Sequence, residues 1–149
     1  MDNLYQTALK SHYSKPIGLN RRICVTHCSD GYNASCGDEI SITLQIRENI
    51  IDDIAFESDC CAICTASASI MCKISKQKDL TALELFYQQL LVALRPLADN
   101  IDTPHQELKI LQPISQYPSR INCALLPWQT AIEAMNSPID EYKGLTTNA

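Results

Sequence analysis

The sequence predicts an α+β fold: a small antiparallel sheet of about three strands with helices packed on one face. Two observations carry this. Strand-like patterns come early in the chain and helix-like patterns late, an order that segregates sheet from helices. Residues 39–47 alternate, with Ile40, Ile42, Leu44 and Ile46 set against Ser41, Thr43, Gln45 and Arg47. One face of that segment is therefore buried and the other wet. A length of 149 residues, 46% of them apolar, fits one domain spanning 1–149 with a real core.

Residues 2–13 read as a short amphipathic helix, with Leu4, Tyr5, Ala8, Leu9 and Tyr13 at helical spacing and Pro16 as its stop. Residues 15–35 are irregular, holding Pro16, Gly18, Gly31 and Asn33, with a short strand near 23–28. The alternating strand 39–47 turns at Glu48-Asn49 and returns over 50–57, although that pair lacks the Asn-Gly signature of a tight hairpin. Residues 61–75 form a helix rich in small side chains, expected to lie close against the sheet. Asp79 or Thr81 starts the next helix, and Thr81 with Glu84 makes a capping-box pattern. Its stripe of Leu80, Leu83, Phe86, Tyr87, Leu90, Leu91 and Leu94 is core, and Pro96 ends it. One or two helical turns are expected around 105–111, then a loop over 114–120 broken by Pro118. The last helix is placed at 122–135, with Pro127 in its first turn, and 139–149 is read as a loose tail.

Composition excludes several function classes. The net charge of −5 disfavours a nucleic-acid partner, because little here would displace counterions from phosphates. No apolar run approaches the roughly 20 residues that span a bilayer, so no membrane partner is expected. Residues 1–10 are polar, without the apolar stretch of a secretory signal. Eight cysteines then need another explanation than a secreted disulfide scaffold. The expectation is a cytoplasmic protein whose cysteines serve metal or sulfur chemistry.

Three segments carry the chemical signal: Asn33-Ala34-Ser35-Cys36-Gly37-Asp38, residues 61–71, and residues 120–123. Cys36 falls in the loop before the long strand, Cys61 at the start of a helix, and Cys123 at the start of the last helix. Helix N-termini favour anions, which predicts good thiolates at Cys61 and Cys123. Gly37 gives the backbone room beside Cys36, and Asp38 offers a carboxylate. Cys36, Asp38, Cys61 and Cys123 would make a tetrahedral site of three sulfurs and one oxygen. Thiolates suit both zinc and iron–sulfur chemistry, and no CxxC pair recurs to narrow the choice.

Leu4-Tyr5, His12-Tyr13 and Pro16, then Cys36-Gly37-Asp38, form the first part of a longer pattern. Phe56-Glu57-Ser58-Asp59-Cys60-Cys61-Ala62-Ile63 followed by Ala66-Ser67-Ala68-Ser69-Ile70-Met71 forms the second. Pro118, Arg120-Ile121, Cys123-Ala124 and Trp128 form the third. In this order the motifs resemble the iron–sulfur cluster assembly scaffold family of the IscU/NifU N-terminal type. The resemblance covers most of the chain. The long stretch before Cys123, and Asn122 where the IscU branch has histidine, resemble the SufU-type branch. That branch implies a zinc site and sulfur acceptance from a partner cysteine desulfurase. The IscU branch implies assembly of a transient [2Fe–2S] cluster, later passed to downstream acceptor proteins. Two features depart from the family: Ser58, Asp59 and Cys60 replace its usual glycines before Cys61, and the segment from Pro16 to Cys36 lacks its Asn-Pro-Arg-Asn opening.

The resulting expectation is a sulfur acceptor that serves iron–sulfur cluster assembly, with zinc or a transient cluster on Cys36, Asp38, Cys61 and Cys123. It is a sulfurtransferase partner of the desulfurase rather than a stand-alone enzyme. Cys36 is the expected acceptor, because a loop beside Gly37 moves at little packing cost. Asp38 is the expected weak ligand, and Arg120 the cation that offsets the site's negative charge. A cluster scaffold and a closed structural zinc domain are the alternatives. Cys60 and Cys64 compete as ligands, Cys72 is read as core packing, and Cys24 and Cys28 are open between packing and a further thiol role. His27 with Cys28 as a metal pair, or with Cys36 as a catalytic pair, is the weaker reading. His12 and His105 are expected to be exposed or hydrogen-bonded.

Overall fold

A computed structural model describes residues 3–95 and 105–142. The expected loose tail beyond 142, and the start of the segment before the last helix, lie outside the described residues. The order is α1 (Asn3–Ser14), β1 (His27–Asn33), β2 (Asp38–Arg47), β3 (Ile50–Asp59), α2 (Ala62–Ser75), α3 (Leu80–Ala93), 3₁₀ turns over Gln106–Gln116, α4 (Pro118–Met135) and a 3₁₀ turn at Asp140–Tyr142. The strands form one antiparallel meander in the order β1-β2-β3. This is the α+β architecture predicted.

β2 is the centre of the sheet. Ile40, Ile42 and Leu44 are buried against the helices, as their alternation requires. Arg47 pairs with Ile50 across the two-residue turn Glu48-Asn49. Both turn residues have positive φ, 50° and 66°. The turn is therefore the left-handed kind that matches strand twist, reached here without glycine.

β1 lies later than the sequence predicts, at His27–Asn33 rather than 23–28. Its residues are polar and include Gly31, so propensity gives little warning of a strand. It forms because β2 offers an edge and α4 crosses above it. A Cβ at Gly31 would sit 1.9 Å from Thr130 Oγ1. Only glycine allows that approach. Residues 17–25 meanwhile run along the sheet, with the Asn20 N–H donating to Phe56 O at 2.8 Å and Thr26 N–H to Leu44 O at 2.8 Å.

α4 is the helix that sets the layers. It starts at Pro118, not at 122. Proline at the first helical position is a start signal, since its φ is preset and its missing N–H would be unused there. Pro127 consequently sits inside the helix rather than in its first turn. It withdraws the donor that the Cys123 carbonyl would otherwise accept. Just past that point, the Ser67 hydroxyl on α2 donates to Ala124 O at 2.5 Å, and Trp128 Nε1 donates to Ser67 Oγ at 2.9 Å. Trp128 is fully buried and meets Phe86 of α3 edge-on, ring centres 6.2 Å apart. Truncating such an anchor costs about 3–5 kcal/mol.

The small residues of α2 serve helices more than the sheet. Ala66, Ser67, Ala68 and Ser69 are all fully buried. Ser67 faces α4, while Ser69 Oγ lies 2.7 Å from His12 Nδ1 on α1 and accepts the Ile17 N–H at 2.8 Å. α2 is thus sandwiched between α1 and α4. Asp79 caps α3 by accepting the Ala82 N–H at 2.9 Å, so the Thr81–Glu84 pattern is not the cap. Among the described residues no helix is long and apolar enough to cross a membrane.

Candidate metal centre

The sulfur-bearing end of the fold is built on a hairpin tip. Asn33 ends β1 and pairs with Asp38, which begins β2. The four residues between them turn back on a Cys36 N–H to Asn33 O bond of 3.3 Å, followed by Gly37 at φ +70°. A Cβ at Gly37 would meet nothing within 4 Å, so backbone conformation rather than crowding favours glycine there. Cys36 is exposed on this tip. Asp38 faces inward and is only 1% exposed.

The second wall is the start of α2. Cys61 is its N-cap, and its Sγ accepts the Cys64 N–H at 3.5 Å. The Cys61 N–H donates to Asp38 Oδ1 at 2.9 Å. Strand and helix start are thereby locked together through one carboxylate.

The third wall is the first two turns of α4. Cys123 is not at the helix start, as predicted, but in the second turn, where it is fully buried. The dipole's influence fades within the first turn. Burial pushes the Cys123 thiol up, and the neighbouring Asp38 carboxylate and Cys36 and Cys61 thiols push it further the same way. The first turn instead supplies Ser119, whose carbonyl accepts from the Cys36 thiol at 3.7 Å, and Arg120. Exposed Arg120 stands beside the group, where hydrogen bonding to Cys123 and the negative charge of Cys61, Cys123 and Cys36 as thiolates would favour its charged form.

Cys36, Asp38 and Cys123 each bring a ligand atom within 4.8 Å of one another. Cys61 is outside that trio but joined to it through its amide, which donates to Asp38. Burial works against the Asp38 carboxylate, yet bonds from Cys123, the Cys61 amide and Asn33 outweigh it and hold the carboxyl below its ordinary value. A pre-ionised oxygen among three sulfurs is a donor set that fits zinc.

Asn33 carries more than the sequence indicated. Its amide donates to Asp38 Oδ2 at 3.4 Å and toward Cys123 Sγ at 3.8 Å. The signal was its pairing with Asp38, hidden because β1 was expected to end at 28. Cys60 and Cys64 do not join the donor group among the described residues. Cys72 is core, as expected, with its Sγ 2.6 Å from where a Cβ on Gly18 would lie. Cys24 and Cys28 are exposed, so neither packs. His27 Nδ1 lies 2.8 Å from Thr26 Oγ1, and β1 separates it from the Cys36 tip by roughly 20 Å of strand. No Cys36–His27 pair forms. His12 is buried on Ser69, and exposed His105 caps the 3₁₀ turns by accepting the Glu107 N–H at 3.1 Å.

The profile of the NifU-like N-terminal domain matches residues 4–124, the span that holds all three walls. The chain belongs to this family. It is 35% identical over 135 residues to the zinc-dependent sulfurtransferase SufU of Bacillus subtilis (strain 168), covering 87% of each chain. The iron–sulfur cluster assembly scaffold protein IscU of Streptococcus pyogenes serotype M1 is 28% identical over 139 residues, covering 91% of this chain and 84% of that one. The crystal structure of a nitrogen-fixing NifU-like protein (N-terminal) from Brucella abortus superposes with a TM-score of 0.79 over 91% of this chain and 94% of that chain. At 17% identity this last likeness shows the fold alone.

Proposed function

We propose that this protein accepts sulfur from a cysteine desulfurase and serves iron–sulfur cluster assembly, acting in the cytoplasm as one domain. Zinc would be held by Cys36, Asp38, Cys61 and Cys123. The observation that supports this most is the approach of exposed Cys36 to buried Asp38 and Cys123 within 4.8 Å. The kinship with a protein named a zinc-dependent sulfurtransferase supports it independently.

When bound, zinc would keep its thiol ligands deprotonated at neutral pH. The chain's own residues supply the rest. The Asp38 carboxylate is fixed by the Cys61 amide and Asn33, so it is ready as a hard ligand without further ordering. Arg120 offsets negative charge from the solvent side. Of the four proposed ligands Cys36 is the exposed one, on a tip that a partner's loop can reach. Its thiolate attacks the outer sulfur of the desulfurase persulfide, the donor sulfur–sulfur bond breaks, and the desulfurase thiolate leaves. Cys36 then carries the persulfide.

The kinship with IscU supports a second reading, in which the same donors hold a [2Fe–2S] cluster as cargo. A structural zinc site with no transfer role fits less well, because such a site has no need of an exposed ligand on a movable tip. The test is to purify the chain without added iron, measure its metal, load it with a desulfurase and cysteine, and map the added sulfur by peptide mass. One zinc per chain and a persulfide on Cys36 are expected. Persulfide confined to Cys123 overturns Cys36 as acceptor. No sulfur uptake at all sinks the acceptor reading, and a visible-absorbing cluster that passes to an apo-protein favours the scaffold.

A further inference from the structure

β1 is an edge strand, outside β2 in the sheet order. On its outer side the Cys28 N–H donates to Ser137 O at 3.2 Å, and an isolated bridge joins His27 to Pro138. Peptide groups alternate in direction along a strand, so those of Asp30 and Tyr32 face the same side as that of Cys28. Among the described residues no strand pairs with them there. Both residues are exposed, Tyr32 to 63%. Beside this edge the outer face of the sheet holds a hollow of about 600 Å³, lined by Asp30 of β1, Glu39 of β2, and Glu57 and Asp59 of β3. The register brings them together: Asp30 lies opposite Ser41, Ser41 opposite Glu57, and Glu39 opposite Asp59. No lysine or arginine lines the hollow, and none of the four carboxylates joins an ion pair among the described residues. The Ser41 hydroxyl donates to Asp30 Oδ1 at 2.6 Å, which fixes that carboxylate over the sheet.

An open strand edge is a template for another strand, because its amides and carbonyls lack partners. The charge beside it selects the occupant. A second copy added edge to edge would bring Asp30 toward its own counterpart, and like charges facing across strands repel. A segment carrying lysine or arginine would meet four carboxylates instead. We propose that the β1 edge at residues 30–33 takes an extended segment of a partner protein as a fourth strand, with basic side chains at alternate positions over the acidic hollow. Main-chain bonds to Asp30 and Tyr32 would hold the segment, and the carboxylates would choose its sequence. β1 runs on into the Cys36 tip, so the partner would stand beside that thiol. Docking here does not depend on what chemistry Cys36 then performs.

The probe is a short capped peptide that alternates lysine with valine, added to the full chain and followed by amide NMR. At about 1 mM peptide the Asp30 and Tyr32 amides should shift and exchange more slowly with solvent. The same peptide with glutamate for lysine should bind roughly tenfold more weakly or worse. So should the lysine peptide N-methylated on the amides that face β1, which keeps the charge and removes the strand bonds. Tyr32→Pro removes an outward N–H that the β2 ladder does not use, and should weaken binding by roughly tenfold. Should proline disturb the strand, Asp30→Lys keeps the backbone, reverses one charge, and should weaken binding as well. No change at Asp30 or Tyr32 overturns the proposal, as does equal binding of the glutamate or N-methylated peptide, or wild-type affinity in both variants. Slowed exchange of those two amides on concentrating the chain alone also overturns it, since the occupant is then a second copy.

Discussion

Cys36 and Cys123 end within 4.8 Å of one carboxylate, yet they arrive from opposite circumstances. Cys36 stands on an exposed four-residue tip beside a glycine at φ +70°. Cys123 is fully buried in the second turn of α4, with its thiol pushed up by burial and by Asp38. The tip is held by one turn bond and a sulfur contact, whereas α4 is locked by Trp128, Ser67 and Thr130. A centre built this way has a fixed wall and a movable one. That division suits the proposed acceptor thiol, which would meet another protein while the buried donors would keep a metal in place.

The sharpest way to break the contrast is Cys123→Ser. Metal binding at thiolate-rich sites contributes on the order of 10 kcal/mol of apparent free energy at neutral pH. Losing the buried sulfur should lower metal content well below one per chain and reduce stability by roughly 3 kcal/mol, a melting-point drop of roughly 6–12 °C. Cys36→Ser should cost the metal-free chain less than about 0.5 kcal/mol, as for any exposed position. Equal losses from the two variants in parallel melts, with and without chelator, would show that the tip is as rigid as the helix.

Asp38→Ala probes the joint between the two walls. It removes the acceptor of both the Cys61 N–H at 2.9 Å and the Asn33 amide at 3.4 Å. A buried donor left unpaired costs about 1–3 kcal/mol. Three thiols should still retain metal, while sulfur uptake falls roughly tenfold as the tip loses its register with α2. Wild-type uptake by this variant would exclude Asp38 from the mechanism.

What the sequence made legible follows the same division. β2 and its hairpin were readable because alternation is a local property, and the closeness of Cys36, Asp38 and Cys123 because their motifs are ordered along the chain. β1 was misplaced because its strand character is imposed by Gly31 letting α4 approach so closely that a Cβ there would lie 1.9 Å from Thr130 Oγ1, a tertiary fact no local pattern records. The start of α4 was missed because Pro118 reads equally as a break and as a first helical residue. That error had a chemical consequence: with Cys123 at a helix start its thiolate would be favoured, whereas in the second turn its burial disfavours it. Asn33 escaped notice as a site residue for the same reason as β1.

Gly37→Ala tests the tip alone. The added methyl meets nothing, so only the left-handed backbone penalty of roughly 1 kcal/mol remains. Sulfur uptake should change more than metal content, since the tip is displaced while Cys61 and Cys123 stay anchored. Unchanged uptake would mean that the conformation at Gly37 does not set the reach of Cys36.

The effect confined to one end of the pH range is an alkaline limb in the stability of the metal-free chain. A thiol whose pKa is raised on folding binds its proton more tightly in the native state. Its contribution is fully present below the unfolded thiol value, ordinarily near 9.0, and is lost as pH rises above it. Cys123 is raised by burial first, and buried Cys64 and Cys72 are raised as well, Cys72 to about 12. Chelator-stripped protein should therefore lose stability above about pH 8.5, each such thiol adding up to roughly 1.4 kcal/mol per pH unit. Cys123→Ala removes one proton from that difference and should flatten the limb by about that slope in urea melts at stepped pH. A limb that Cys123→Ala does not change would mean that its thiol titrates as freely folded as unfolded, and the fixed wall would then be open to water.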